Sequence, residues 1–318
     1  MSRPIGGQAV IEGVMMRNQQ DMTIAVRRPD ETIYLFKDNI NSFAQRFPVF
    51  KLPVLRGMLA FFESLILGVK ALNFSADQAL EEEEEKLEGW HIALTMGIAF
   101  TFAIALFFFL PTFLARFFTG EEASQLPIVM NLMEGGLRLL IFLGYVIAIS
   151  RMKDIQRVFQ YHGAEHKVIH CYEAGLPLNV DNARSFSPLH PRCGTSFLLI
   201  VMVISIVFFS FFGWPGIFMR MVTRLSLLPI IAGLSYEAIR FVGKSSSPLV
   251  SILSYPGLAL QKLTTRDPDD SMLEVALEAL EPLAESKEDK EVEDVEEGEE
   301  AEELEGGEKG KEAAVTLQ

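Results

Sequence analysis

Two long apolar stretches that contain no Asp, Glu, Lys or Arg constrain the fold of this chain more than any other feature. They are HIALTMGIAFTFAIALFFFL at 91–110 and SFLLIVMVISIVFFSFF at 196–212. An α-helix needs about 20 apolar residues to cross a bilayer, and a spanning segment must satisfy its own backbone hydrogen bonds. Since 49% of all residues are also hydrophobic, we expect a mainly α, polytopic integral membrane protein.

Two further stretches, 126–150 and 221–243, are long enough to span a bilayer only if each includes a glutamate and an arginine. These residues are Glu134 and Arg138, then Glu237 and Arg240. Side chains three or four positions apart meet on one helix face, so we interpret both as intrahelical pairs, with a buried functional pair as the alternative. About four transmembrane helices are predicted, two within 90–150 and two within 195–243.

The distribution of Lys and Arg sets the expected orientation, because cytoplasmic loops are enriched in both residues. They are frequent before the first span, between the second and third spans, and after the fourth. Arg220 and Arg224, between the last two spans, are the exception. We therefore expect both termini and the segment 151–194 on the cytoplasmic side.

Two segments before the first span have patterns of their own. Residues 1–50 are predicted as a cytoplasmic segment with a β-hairpin, since 22–36 alternates and breaks at Pro29-Asp30. Residues 51–80 are predicted as an amphipathic interfacial helix, lying on the bilayer or packed on the spans. Its charges recur every seven residues and so mark one polar stripe. They are Arg56, Glu63 and Lys70.

The net charge of −14 is concentrated at the end of the chain. Residues 281–318 hold 16 Asp and Glu against 4 Lys, a net of −12 that leaves −2 for the rest. Because this segment has little apolar surface to bury, we predict a disordered acidic tail. The segment before it, 244–280, is expected to be cytoplasmic and amphipathic.

Residues that bind metals are concentrated in one polar segment, since four of the five histidines and both cysteines lie between positions 162 and 193. If 157–173 is a helix, its three histidines share a face, but the outer two are about 12 Å apart. One helix therefore supplies only an adjacent pair of ligands, and the rest must come from SPLHPRCGTSF. The candidates are His162, His166, His190 and Cys193.

The stretch HGAEH at 162–166 has the H-x-x-E-H pattern, in which two imidazoles chelate an ion and the glutamate acts as general base. Glu165 would have that catalytic role. We expect a divalent ion, zinc first, with iron and manganese also allowed by mixed N, O and S ligands. His170, Cys171 and Glu173 are candidates for alternative ligands or for residues that orient the ligands. A metal-free polar network is the alternative.

Four blocks, GGQAVIEGVMMR, YHGAEHKVIHCYE, HPRCGTSFL and PGLALQKLTTRDPDD, closely resemble the bacterial YqhQ-like family, the domain of unknown function 1385. The resemblance covers roughly residues 3–280 and leaves the acidic tail outside. It implies a metal-dependent protein of the bacterial cytoplasmic (inner) membrane, and it supplies no reaction. In the first block Glu12 is expected to pair with Arg17 or Arg3, or to line the site as a further carboxylate, and the surrounding glycines allow close backbone approach.

These observations lead to a metal-dependent enzyme, most simply a hydrolase, with its site at the cytoplasmic interface. An amphiphilic substrate would suit that position: a lipid, a lipid-linked precursor or a membrane peptide. The alternative is a non-enzymatic membrane scaffold or assembly factor stiffened by the metal. A transporter is disfavoured, since the two strongest spans carry almost no ionisable groups. Expected partners are membrane lipids and a membrane protein or a second copy of the chain; no nucleic-acid-binding pattern is found.

Overall fold

The computed structural model describes residues 5–18, 20–40, 42–43, 47–79, 89–119, 126–242 and 248–284. The strands are β1 (Gly6–Val10), β2 (Gly13–Arg17), β3 (Asp21–Arg27) and β4 (Ile33–Asn39). The helices are α1 (Leu55–Ala79), α2 (Gly89–Ile104), α3 (Leu110–Thr119), α4 (Pro127–Ile149), α5 (Lys153–Glu173), α6 (Val180–Arg184), α7 (Gly194–Ser210), α8 (Ile217–Val242), α9 (Pro248–Thr264) and α10 (270–284). The described chain is mainly helical with a small N-terminal sheet, as predicted.

The four strands form an antiparallel meander in the order β1-β2-β3-β4. The hairpin predicted at 22–36 is confirmed as β3 and β4, which pair from Asp21 with Asn39 to Arg27 with Ile33. The β1–β2 hairpin was missed, because neither GGQAV nor GVMMR alternates between polar and apolar residues. Its two-residue turn places Glu12 at a φ of 51°, a left-handed conformation that costs a non-glycine residue about 1–2 kcal/mol.

Both faces of this sheet are covered, which explains why β2 is apolar from Gly13 to Met16 and why the middle of β3 is buried on both faces. Val14, Met16 and Ala25 pack in one core with α5 and α10. Met15 and Ile24, on the opposite face, pack in a second core against α1. An antiparallel sheet with one solvated face would alternate instead.

Helix α1 joins the sheet to the apolar helices. Its second half packs on the sheet, where the hydroxyl of Ser75 accepts a hydrogen bond from the Ile11 N–H at 3.2 Å. Its first half packs on α8, so closely that a Cβ on Gly57 would lie 2.7 Å from the Cβ of Tyr236. The predicted polar stripe is confirmed and each of its charges has a polar partner. The pairs are Arg56 with Glu237, Glu63 with Ser42, and Lys70 with Asp38.

Three helices of the described chain are long and apolar enough to cross a membrane: 93–119, 127–149 and 217–242. The first continues nine residues past its predicted end, through a π-helical turn at Ala105–Phe109 that lies just before Pro111, a residue with no N–H to donate. The predicted span at 196–212 forms α7, which has 17 residues and is shorter than the others. The expectation of four full spans is thus reduced to three such helices and one short apolar helix. The short helix α7 packs against two of the long apolar helices, α4 and α8, and also against α9.

Helix α10 closes the sheet core and corrects the start of the predicted tail. Asp269 caps its N-terminus, with Oδ1 accepting from the Met272 N–H at 3.0 Å. The helix runs to residue 284, because Leu280 and Leu283 are buried against the sheet core. Residues 281–284 are therefore helical, and the remainder of the predicted tail lies outside the described residues.

Candidate metal centre

Helix α5 is the platform of the site and divides the residues of the histidine stretch between two faces. The helix that was assumed over 157–173 is present and begins four residues earlier, at Lys153. Ala164, Val168 and Cys171 point into the sheet core. The three histidines of α5 contact the loop before α7 and the end of α9 instead. Cys171 therefore lies in the core, with its sulfur 3.5 Å from the carbonyl oxygen of Pro177, and it belongs to neither group of donors described below.

The structure brings His162, His166 and Cys193 together in what we call the first donor group. One donor atom of each lies within 4.8 Å of the others, and the Nε2 of His162 is 3.2 Å from the Cys193 sulfur. His166 and Cys193 are 2% and 6% exposed, whereas His162 is half-buried. The sequence predicted that the two helix histidines and the HPRC segment would meet. Three of the four candidate ligands do so, and His190 does not.

Hydrogen bonds from the other ring nitrogens orient both imidazoles. The Nδ1 of His162 lies 2.8 Å from the carbonyl oxygen of Thr264, and the Nδ1 of His166 lies 2.6 Å from that of Pro188. A carbonyl can only accept, so each Nδ1 carries a proton, and in the neutral form of each ring the lone pair is on Nε2. Neutral imidazoles held in one tautomer by backbone carbonyls are typical of metal ligands.

The backbones of α5 and of the end of α9 approach each other closely, and this brings the Thr264 carbonyl within hydrogen-bond distance of His162. A Cβ on Gly163 would lie 1.9 Å from the carbonyl oxygen of Arg266, so only glycine fits there. The Arg266 N–H donates to the Phe159 carbonyl at 2.9 Å, which ties the end of α9 to α5. The glycine in HGAEH therefore has a structural reason that the H-x-x-E-H pattern does not include.

His190 belongs to a second donor group, with His170 and Glu173, whose donor atoms also lie within 4.8 Å of one another. The expectation that His190 completes the first set is corrected. Its Nδ1 accepts from the Arg192 N–H at 3.2 Å, and its Nε2 lies 3.5 Å from the Glu173 carboxylate. Burial lowers the pKa of His190, which favours the neutral ring. The two groups adjoin, since the ring centroids of His166 and His190 are 5.6 Å apart.

Gln261 of α9 fixes the loop that carries His190, and sequence reasoning missed it. Its side chain is fully buried. The Oε1 accepts from the His190 N–H at 2.9 Å, while Nε2 donates to the His190 carbonyl at 2.8 Å and to the Ser196 hydroxyl at 2.9 Å. In the sequence, Gln261 stands out only as a polar residue inside the apolar run PGLALQKL. No spacing rule links that position to the histidines.

Glu165 lies beside the first donor group without being part of it. Its carboxyl is buried, and burial raises its pKa to about 7, against the opposing effects of His162 and of a hydrogen bond from the Gly7 backbone. A Cβ on Gly7 would lie 2.9 Å from both Cγ and Cδ of Glu165. The predicted close approach at the GG pair of β1 is thus found, and it encloses this carboxyl.

Glu12 is held away from the donor groups, with partners other than those expected. It forms a bidentate ion pair with Arg157, in which Nη2 and Oε2 are 2.5 Å apart, and it accepts from the Tyr161 hydroxyl at 3.3 Å. Arg17 instead donates to Ser64, and Arg3 lies outside the described residues. Glu12 therefore anchors the β1–β2 turn to α5, one turn before His162.

The chain is similar to one protein family and to one individual protein, and the description of neither names a reaction. A family model described as "Protein of unknown function (DUF1385)" matches residues 52–286. The "Uncharacterized protein YqhQ" of Bacillus subtilis (strain 168) is 37% identical over 288 residues, which cover 86% of this chain and 90% of that protein. No solved structure matches the chain. Both donor groups lie within the residues that the family model matches.

Proposed function

This chain belongs to the DUF1385 family of proteins of unknown function, and we propose that it is a membrane-bound, metal-dependent hydrolase. The observation that carries the proposal is the first donor group. One ring nitrogen from each of two histidines and a sulfur, from segments about 30 residues apart in the chain, lie within 4.8 Å of one another. His162, His166 and Cys193 would be the ligands.

The composition of this group fits a catalytic ion better than a structural one. Structural zinc sites have four protein ligands and are usually rich in cysteine, whereas catalytic sites have three protein ligands and an open position. The first donor group supplies two nitrogens and one sulfur. Zinc suits these donors best, with iron as the next candidate and manganese less suited to a thiolate.

Glu165 supports a hydrolytic role. In the H-x-x-E-H pattern the glutamate between the two histidines acts as general base, and Glu165 is buried and directly precedes His166. When bound, a divalent ion would polarise a water molecule and the scissile bond. Glu165 would accept a proton from the attacking water and return it to the leaving group. His170, Glu173 and His190 would hold either a second ion or a polar group of the substrate.

The position of the donors favours an amphiphilic substrate at a membrane surface. Cys193 is the N-cap of the apolar helix α7, and Thr264, whose carbonyl holds His162, is the last residue of α9. The first donor group therefore lies against the ends of these two helices. We infer a multi-pass protein of the bacterial cytoplasmic membrane with both termini in the cytoplasm. Its substrate would be a lipid, a lipid-linked precursor or a membrane peptide.

Elemental analysis of the detergent-purified protein tests the metal part of this proposal. The wild type should contain at least one equivalent of zinc or iron, and two equivalents would identify the second donor group as a second ion site. His166→Ala should lose the ion of the first group. Glu165→Gln should keep it, because Glu165 is not a ligand. A wild type that stays free of metal after incubation with zinc would exclude both the hydrolase and the metal-stiffened scaffold, and would leave the metal-free polar network.

Turnover tests the catalytic part separately. The wild type, in micelles, is offered fluorogenic amphiphilic esters, phosphodiesters and peptides, with Glu165→Gln as the matched control. We expect the wild type to cleave one class, and the metal-replete Glu165→Gln variant to be slower by about 100-fold or more, the contribution of a general base. Equal rates for the two proteins would remove Glu165 from the mechanism.

A further inference from the structure

A second polar site lies among the apolar helices, around the buried carboxylate of Glu134. The carboxylate is fully buried and pairs with Arg138 of its own helix at 2.5 Å, as the sequence predicted. Two arginines of α8 also reach it: Nη1 of Arg220 at 3.1 Å and Nη2 of Arg224 at 3.0 Å. Three guanidinium groups thus surround one carboxylate, which leaves two positive charges without a counter-charge in this network of described residues.

Several donors of this network have no acceptor in the described part of the chain. Arg220 is only 3% exposed, and its Nε and Nη2 are buried without a hydrogen-bond partner. The indole Nε1 of Trp214 is also buried and unpartnered, and the Arg220 guanidinium lies 3.9 Å from the centre of the Trp214 ring. A buried donor without an acceptor costs about 1–3 kcal/mol, and more if it is charged. The arrangement is therefore incomplete without an acceptor.

The residues that carry these donors line a cavity of about 390 Å³. Its polar wall consists of Asn131, Trp214, Arg220 and Arg224, and its apolar wall includes Phe209 and Phe212. Asn131 and Ser150 lie near opposite ends of α4, about 29 Å apart at 1.5 Å per residue. Ser150 accepts from Arg266 at 3.1 Å, close to the candidate metal centre. The cavity is thus at the other end of α4 and does not depend on the proposed hydrolase activity.

We propose that this cavity binds a phosphate monoester group. Guanidinium groups bind phosphate oxygens through strong, charge-assisted hydrogen bonds. A phosphate monoester offers three acceptor oxygens and a charge of about −1.5 to −2 at pH 7, which matches the three unpartnered donors and the surplus of two positive charges. A carboxylate has fewer oxygens and half the charge. The phenylalanine wall would contact an acyl chain if the group belongs to a lipid, although inorganic phosphate carries the same chemistry.

Tryptophan fluorescence can report occupancy, because the chain has only two tryptophans. Trp90→Phe leaves Trp214 as the single reporter. We expect its emission to change on titration with nanodiscs that contain phosphatidic acid, but not with nanodiscs of phosphatidylcholine alone. Inorganic phosphate is titrated in parallel in detergent. A response to both ligands assigns the site to the phosphate group itself, and a response to the lipid alone shows that the acyl chains are needed. A response to neither overturns the proposal.

Two variants test the assigned donors. In the Trp90→Phe background, Arg220→Gln should weaken binding by about tenfold or more, because a charged hydrogen-bonding group is lost. Trp214→Phe keeps the aromatic ring and removes one neutral donor, so native mass spectrometry should show a smaller loss of phosphatidic acid binding, about threefold. If Arg220→Gln does not fold, the phosphatidic acid binding of Trp214→Phe still tests the assignment. Unchanged binding in every variant that folds would overturn the assignment.

Discussion

The Nε2 of His162 lies 3.2 Å from the sulfur of Cys193, although 31 positions separate the two residues. The contact depends on two supports from α9: the Thr264 carbonyl orients the His162 ring, and Gln261 fixes the backbone of the loop before Cys193. The first donor group therefore depends on α9 as much as on the segment that carries the donors. This dependence makes the site testable at residues that are not themselves ligands.

The two cysteines provide a matched pair for metal analysis. Cys193→Ala should lose most of the bound ion, since it removes a donor of the first group. Cys171→Ala should keep the ion, because Cys171 lies in the sheet core with its sulfur against a backbone carbonyl. Plasma mass spectrometry of both purified variants measures the difference. Equal metal content would exclude Cys193 as a ligand.

Gln261 should affect metal affinity without contacting the ion. Gln261→Leu removes three hydrogen bonds that hold His190 and Ser196, and loss of such supporting groups typically costs about 10–100-fold in metal affinity. Gln20→Leu, at an exposed position, is the control. Competition with a chromogenic chelator gives both affinities. An affinity equal to that of the control would mean that the loop holds its position unaided.

The adjacent glycines of β1 should respond differently to a methyl group. Gly7→Ala places a Cβ 2.8 Å from the Met15 carbonyl and 2.9 Å from Glu165, whereas a Cβ on Gly6 meets nothing within 4 Å. We expect Gly7→Ala to destabilise the protein by about 1–3 kcal/mol through overpacking, and Gly6→Ala to change stability by less than about 0.5 kcal/mol. Thermal unfolding in detergent compares them, and a stable Gly7→Ala protein would contradict the packing of β1 on α5.

The ion pair between Glu12 and Arg157 should couple the β1–β2 turn to α5. Their side chains are 25% and 49% exposed, so solvent screening limits the coupling to about 0.5–1 kcal/mol. A double-mutant cycle with Glu12→Gln and Arg157→Gln measures it from unfolding midpoints. The more exposed pair of Lys70 and Asp38 serves as the comparison and should couple less. Purely additive effects at Glu12 and Arg157 would show that the contact contributes no stability.

The proposed topology predicts the side of the membrane on which reporters are active. A green fluorescent protein fused to the C-terminus should fluoresce, because it folds in the cytoplasm, and an alkaline phosphatase at the same position should be inactive. Insertion of the phosphatase at 120–125, between the first two apolar helices, should give the opposite result. Phosphatase activity at the C-terminus would reverse the orientation and move the donor groups to the outer face.

Much of the architecture could be predicted from local patterns. The β3–β4 hairpin and the polar stripe of α1 both follow from periodicities of a few residues. The β1–β2 hairpin escaped prediction because both faces of its strands are buried, which removes the alternation. The ends of α7 also escaped prediction. The apolar stretch 196–212 and the helix Gly194–Ser210 both have 17 residues, but the helix begins and ends two residues earlier.

The sequence by itself determined which residues could form a metal centre, because four histidines, two cysteines and their neighbouring carboxylates lie in one polar segment between apolar helices. Only the tertiary structure decided how they are divided. It places Cys193 with His162 and His166, and it places His190 with His170 and Glu173. Cys171 is buried in the core. Long-range backbone contacts made by Gly7, Gln261 and Thr264 set these positions. Such contacts depend on how the helices and the sheet pack, and spacing along the chain does not encode that packing.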